Sequence, residues 1–327
     1  MTPSELSITA RLIYNEAQKR GIGVQLFDNV HLLRLEKDGV VRFTCCSRTS
    51  LQSSVGMTIA DDKGITKELL LKEQLPTSPG GVVANREELD VLLNTLHFPL
   101  VIKPVLGSHG DGVVVGISHV EEAIRVYDQL SVHSDRVVIE EQVDASNDFR
   151  VVVINHTFVA ATQRVPAHVV GDGTHTINEL VELKNQDPNR GDAHYLPLST
   201  IVIDDDVESY LRDQSLGLDN VMADGEIAWL KKTANLSTGG EGWDVTDDVH
   251  PSNIEMFERI SCVCDLTTIG IDVMADNLSI DLNDQSGAIL EVNASPGLRM
   301  HHYPSRGEAR NVAGAILDLL FKVPTWV

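Results

Sequence analysis

GIDVM at residues 270–274 and ILEVNASPG at residues 289–297 are the stretches whose reading decides the fold. Each is an apolar run with an acidic residue set inside it, the pattern of a buried strand. Residues two apart on a strand share a face. Glu291 and Asn293 therefore point the same way, and Asp272 on a neighbouring strand can face them. Three oxygen-bearing side chains at one strand end suit Mg²⁺, which keeps positions open for phosphate oxygens. Pro296-Gly297 then turns the chain. An acidic strand end facing solvent is the plainer reading of the same residues.

Working outward, the segment before these strands is also organised around charge. VIKP (101–104) places Lys103 in an otherwise apolar strand, and an ammonium group seldom lies inside without a partner. GSHGDG (107–112) follows and separates it from a strand at 113–117. Its glycines Gly107, Gly110 and Gly112 allow backbone amides to approach phosphate oxygens. The loop joins two strands and lacks the Lys-Ser/Thr ending of a P-loop, so it is neither a P-loop nor a Rossmann turn. A strand at 136–140 runs into Glu140-Glu141-Gln142-Val143, an extended segment able to offer backbone groups to an adenine edge.

Helices are expected at 4–20, 64–73 and 308–321. Further helices are expected after Asn85-x-x-Glu88, Ser118-x-x-Glu121, Thr176-x-x-Glu179 and Ser252-x-x-Glu255, each a polar cap followed three residues later by glutamate. PTSPGG (76–81) reads as a turn, and Asn155-His156 reads as the tip of a hairpin.

The 327 residues fit two or three subdomains. Lys plus Arg number 26 and Asp plus Glu 48, a net charge of −22. That balance repels a phosphate backbone and argues against nucleic acid as a partner. Residues 1–20 do not read as a signal peptide, and no run reaches the length of a membrane helix, so the expectation is a cytoplasmic protein without a membrane partner. The cysteine pairs Cys45-Cys46 and Cys262-x-Cys264 have neither zinc nor redox spacing.

Together and in this order, the DKxxTK pattern (Asp62, Lys63, Thr66, Lys67), VIKP with its glycine loop, EEQV, NDFR (147–150), GIDVM and EVNASPG resemble the ATP-grasp superfamily over about residues 58–322. QRVPAHVVGDGTHTINELVELKN (163–185), the 231–251 stretch and EVNASPGLRMHHYPS (291–305) are similar to ATP-grasp modules of the cyanophycin synthetase type and to the ligase modules of fused bifunctional glutathione synthetases. The resemblance implies an α+β ATP-grasp fold holding ATP between two lobes. Its expected parts are a small truncated α/β unit at 1–57, a lid and central lobe at 58–143, and a C-terminal lobe with the Mg²⁺ site and substrate loops at 144–327.

It implies an ATP-dependent carboxylate–amine ligase that forms a peptide bond through an acyl phosphate. Amino acids or short peptides would be the substrates, and the enzyme would be a homo-oligomer, dimer or tetramer. Lys63, Lys103 and the loop residues Gly107, Ser108, His109, Gly110 and Gly112 would hold ATP phosphates. Glu140, Glu141, Gln142 and Val143 would read adenine, and Asp148 the ribose. Asp272, Glu291 and Asn293 would bind two Mg²⁺ ions, with Mn²⁺ as a substitute. Lys232 would sit near the γ-phosphate, and Asn235, Ser237 and His301 would meet substrate. D-alanine–D-alanine ligases carry an arginine where this chain has Gly270. Another cation must then serve the tetrahedral intermediate, and Arg164 and Arg299 are the candidates. A chain that has lost catalysis and only senses ATP or acts as a scaffold is the alternative.

Overall fold

A computed structural model describes residues 2–27, 31–107, 111–191 and 195–322. The chain forms two compact units, each built from non-consecutive segments. The first takes Met1–Ser50, Val159–Thr246 and Gly297–Val327, and the second Leu51–Phe158 and Asp247–Pro296. The packed units thus interleave along the chain, whereas the three expected parts run consecutively.

The second unit carries an antiparallel sheet of four strands in the order Gly80–Val83, Val137–Glu141, Leu100–Pro104 and Val114–Ile117. Helices Arg86–Leu93 and Val120–Ser131 cover it, and Leu89, Ile102, Ile117 and Ile139 form its buried core. Asn85 caps the first helix as its sequence predicts, its side chain accepting from Glu88 N at 2.9 Å. The second helix starts one residue later than the Ser118 motif predicts, with His119 at the cap and no side-chain capping bond.

The same unit holds three antiparallel strands, Asn147–Ile154, Thr268–Ala275 and Gly287–Asn293, with Thr268–Ala275 in the middle. That central strand is buried on both faces, which is why it reads as a nearly continuous apolar run. Helices Lys63–Lys72 and Pro251–Val263 pack beside these strands. PTSPGG proves to be more than a turn: Ile289 N donates to Pro76 O (2.9 Å) and Thr77 Oγ1 to Ile289 O (3.2 Å). Gly80 then opens a strand.

In the first unit, helices Ile8–Lys19 and Val312–Lys322 pack together beside a four-stranded antiparallel meander, Gly23–Phe27, Leu32–Lys37, Val40–Cys45 and Arg48–Thr49. Leu33 and Leu35 are fully buried there. Strand Thr157–Val165 pairs with Glu241–Asp244 over residues 162–165. A satellite core of Val169, Ile177, Val181, Ile201, Val207 and Leu211 lies around helices Ile177–Asn185 and Asp205–Asp213. Thr176 and Glu179 form the capping box that their spacing predicts. Among the described residues no helix is long and apolar enough to cross a membrane.

Candidate nucleotide and metal site

Three lysines and two glutamates of the second unit, Lys63, Lys67, Lys103, Glu140 and Glu291, line one pocket. Local sequence explains how the lysines arrive. Asp62 caps the Lys63–Lys72 helix by accepting from Ile65 N at 3.0 Å, and Arg136 pairs with its other oxygen. Lys63 and Lys67 stand one turn apart on one helix face, a spacing that repels like charges unless counter-charges face them. Gly64 lets that helix approach strand Gly80–Val83, since a Cβ there would lie 2.6 Å from Val82 Cγ2.

Lys67 Nζ reaches Glu140 Oε2 at 3.0 Å and also donates to Ser78 O, while Lys103 Nζ pairs with Glu140 Oε1. Lys63 Nζ donates to Gly107 O at 2.6 Å. Burial pushes the Glu140 carboxyl up, but Lys103 and Lys67 outweigh it and the net shift is downward. Burial pulls Lys67 below its ordinary value, with Glu140 opposing, and does the same to Lys63, with Glu291 opposing. The carboxylate of Glu140 thus lies between two ammonium groups, while the resemblance implies a contact with adenine for this residue.

The neighbouring positions are partly engaged. Glu141 N donates to Pro79 O (2.8 Å), and its carboxylate accepts from His97 N (2.8 Å). Gln142 N donates to Pro99 O (2.9 Å), and its side-chain oxygen accepts from Gly116 N (2.8 Å). Val143 and Asp148 are half-buried. Gly107 (φ 134°) and Gly112 (φ 72°) adopt backbone that side chains disfavour. Ser108, His109 and Gly110 lie outside the described residues.

Asp272 and Glu291 are register partners on adjacent antiparallel strands, beside a register shift between Asp272 and Val273. Asn293 Nδ2 donates to Glu291 Oε1 at 3.2 Å. The structure therefore brings the three oxygen-bearing residues together. Two carboxylates and an amide oxygen are the hard donors that Mg²⁺ takes. Among the described residues no group of three or more His, Cys, Asp or Glu side chains offers a rival metal site.

Arg150, given no role by the sequence reading, is the register partner of Asp272 on the third strand. Its Nε and NH2 take the two oxygens of that carboxylate, the second at 3.0 Å. A Cβ on Gly270 would lie 3.3 Å from Arg150 NH1 and 2.7 Å from Pro296 Cβ. The guanidinium therefore occupies the space into which a residue-270 side chain would project. Period-2 alternation in NDFR could have revealed Arg150, and the i, i+4 spacing in DKxxTK could have revealed Lys67.

The remaining sequence candidates belong to the first unit. Arg164 is the register partner of Gly242, and Met300 packs on that glycine, with its Cβ 3.2 Å from where a Gly242 Cβ would stand. His301 Nδ1 meets Thr162 Oγ1 at 2.8 Å, and Arg299 is half-buried, its pKa pulled down by that burial. Arg164, Arg299 and His301 are thus carried by adjoining segments. Asn235 and Ser237 share one tight turn, Asn235 Oδ1 accepting from Ser237 N (3.0 Å) and Oγ (2.8 Å). Lys232 stands exposed, 3.0 Å from Asp213 and 5.1 Å from the Tyr210 ring centroid.

Residues 60–172 match the RimK-like ATP-grasp domain. The chain is 41% identical over 300 residues to cyanophycin synthetase of Synechocystis sp., covering 91% of this chain and 33% of that protein. It is 30% identical over 326 residues to the glutathione biosynthesis bifunctional protein of Listeria monocytogenes, covering 97% of this chain and 42% of that one. The chain thus spans well under half the length of these relatives. A crystal structure of a bifunctional glutathione synthetase from Pasteurella multocida matches with a TM-score of 0.80 at 25% identity, over 98% of this chain and 44% of that one. D-alanine–D-alanine ligase from Bacillus anthracis matches in fold, with a TM-score of 0.50 at 14% identity, over 83% of this chain and 69% of that one.

Proposed function

We propose that this chain, an ATP-grasp protein with a RimK-like domain over residues 60–172, is an ATP-dependent ligase that joins a carboxylate to an amine. An amino acid or short peptide would supply each. The observation that carries the reading is the convergence, in one unit, of Lys63, Lys67 and Lys103 with Glu291, itself the cross-strand partner of Asp272. Few tasks other than holding a polyphosphate with its cation call for three half-buried or buried lysines beside two metal-type carboxylates.

In this reading the lysines offset phosphate charge, and Glu140 fixes Lys67 and Lys103 in place. Asp272, Glu291 and Asn293 would hold one or two Mg²⁺ ions. When bound, such ions polarise phosphoryl oxygens and neutralise charge. The substrate carboxylate attacks the γ-phosphorus, ADP leaves, and an acyl phosphate forms. The amine then attacks the acyl carbon, and phosphate departs with the oxygen that the carboxylate had carried. Holding amine and acyl phosphate together contributes up to roughly 7–11 kcal/mol in well-oriented systems.

Arg150 is assigned to the developing negative charge. It stands where the side chain of residue 270 would project and is held by both oxygens of Asp272. Arg164, Arg299 and Lys232 are assigned to catalysis and Asn235, Ser237 and His301 to substrate, on the resemblance together with their positions in the first unit.

The test is phosphate release from Mg-ATP across a panel of amino acids and short peptides, with products identified by mass. One acid–amine pair should stimulate release and give a product lighter by one water than the sum. Glu291→Gln and Asp272→Asn should each lower that turnover at least about 100-fold while far-UV ellipticity is retained. Near-normal turnover in either variant would remove the metal site from the mechanism.

A further inference from the structure

A second buried charge cluster, of residues given no role so far, lies in the first unit. Arg190, with a side chain only 1% exposed, donates to Ser199 O (2.8 Å), to Gly239 O (3.2 Å) and to the carboxylate of Glu241. Glu241 Oε1 also takes Lys184 Nζ at 2.7 Å, and that ammonium donates to His168 O at 2.8 Å. Burying a guanidinium is costly unless each of its bonds is made. Replacing such a cluster by apolar residues is often neutral for stability, so stability alone does not account for it.

The cluster grips one short piece of chain. Ser199 Oγ donates to Leu236 O at 2.6 Å, and Arg190 takes Gly239 O, so the inner carbonyls of the 235–240 turn are anchored from one side. Gly239 has φ 98°, and a Cβ on it would lie 2.7 Å from Ile201 Cγ1. A Cβ on Gly240 would lie 2.9 Å from Val165 O. Asn235, Ser237 and Thr238 face outward and are exposed, while Leu236, Gly239 and Gly240 are buried. The turn then runs directly into Glu241–Asp244, where Gly242 opposes Arg164.

We infer that Arg190 is a positioning residue. It acts through Gly239 O and Glu241 to hold the 235–240 turn, with its outward Asn235 and Ser237, in fixed register with Arg164 for an amino-acid or peptide substrate. The substrate half of this inference rests on the ligase reading above. Arg190 uses two nitrogens held apart in one plane, NH1 for the carbonyls of Ser199 and Gly239 and NH2 for Glu241, a spacing that the single nitrogen of a lysine cannot reproduce. Lysine would keep the charge opposite Glu241 and lose the hold on Gly239.

The experiment compares wild type, Arg190→Lys and Ser199→Ala by hydrogen exchange of peptides covering 235–240 and by steady-state kinetics. In Arg190→Lys, exchange in that turn should rise at least about tenfold, since its anchored carbonyls lose a partner. KM for the acid and amine should rise several-fold, with KM for Mg-ATP within about twofold of wild type. Ser199→Ala, which removes only the Leu236 anchor, should move the same quantities less, and it serves as the test if Arg190→Lys does not fold. Unchanged exchange in the turn overturns the inference, as does a rise in the Mg-ATP KM equal to that of the other substrates, the mark of general loosening. Faster exchange in a protein whose wild type ligates no pair supports the anchoring and locates the failure in the ligase reading.

Discussion

Replacing Glu140 by glutamine removes one charge and almost no volume. In the native protein Glu140 is 5% exposed and carries Lys67 on one oxygen, at 3.0 Å, and Lys103 on the other. The variant leaves two ammonium groups in the same buried space without their shared counter-charge. Removing one partner of a buried pair costs about 3–5 kcal/mol. Lys67 can limit its part by giving up its proton. From an ordinary value of 10.5 that costs at most about 5 kcal/mol at pH 7 and about 2 kcal/mol at pH 9, at 1.36 kcal/mol per unit.

The sign follows from linkage. Lys67 titrates below 10.5 in the folded protein and lower still without Glu140. Between that lowered value and 10.5 the unfolded chain binds more protons, so stability rises with pH in this window. Glu140→Gln should therefore lie about 3–5 kcal/mol below wild type at pH 7, and the gap should narrow by pH 9. Urea unfolding followed by far-UV ellipticity at both pH values measures this. Hydrogen exchange in 100–104 and 137–141 assigns it to the correct unit, because Trp229 and Trp243 both report on the other one. A variant within about 1 kcal/mol of wild type at pH 7, or a gap independent of pH, would refute the pairing.

His302 Nε2 accepts from Ala313 N at 3.1 Å, at the start of helix Val312–Lys322, and burial lowers its pKa to about 4. The unfolded chain takes up a proton near 6.5 and the folded one near 4, so stability is full above pH 6.5 and falls by about 3 kcal/mol as pH drops through that interval. In His302→Gln, which can still accept that bond, this part of the acid dependence should disappear from unfolding curves measured between pH 4 and 7. Gly242→Ala would place a methyl 2.8 Å from Thr162 Cγ2 and 3.2 Å from Met300 Cβ. It should cost about 1–3 kcal/mol by overpacking and raise KM for the acid or amine while leaving Mg-ATP affinity unchanged. Thermal melts and steady-state kinetics check both effects.

The elements legible in the sequence are those whose signals are local. Thr176 and Glu179 cap a helix because both halves of the box lie within four residues, and Asp272 and Glu291 meet because each sits in a strand with a strong apolar pattern. Local signals also explain one misplaced helix start. At 250–255, Pro251 fixes the first helical turn and His250 Nδ1 takes Ser252 N, so the cap falls two residues before the serine motif. EGWD (241–244) has two charges and a glycine and reads as loop. It becomes a strand because it pairs with 162–165 and because its glycine admits Met300. The interleaving of the units depends on pairings such as Asn147–Ile154 with Thr268–Ala275, more than 100 residues apart, which period and propensity do not encode. Alternation in NDFR marks the face on which Arg150 stands, but its partner Asp272 is 122 residues away and comes from the fold.

Local and global charge pull in opposite directions here, and the difference bears on what the pocket can accept. The chain carries −22 overall. Around the pocket and its metal-side strands, Lys63, Lys67, Lys103 and Arg150 contribute four positive charges, and Glu140, Asp272 and Glu291 three negative ones, a net of +1. Two of the three carboxylates are buried and bonded to cations, Glu140 by two lysines and Asp272 by Arg150, so neither presents a bare charge to an incoming anion. Glu291 is half-buried and is the acidic group that most strongly supports the charge on Lys63. A polyanion alone would approach a molecule of strongly negative net charge and meet a single net positive charge here. A divalent ion seated at Asp272, Glu291 and Asn293 would raise the local charge to +3, enough to balance most of a triphosphate in a site of reduced dielectric. The proposed site is thus one where nucleotide and cation bind better together than apart, and an acidic protein can hold a triphosphate while still rejecting a phosphate backbone.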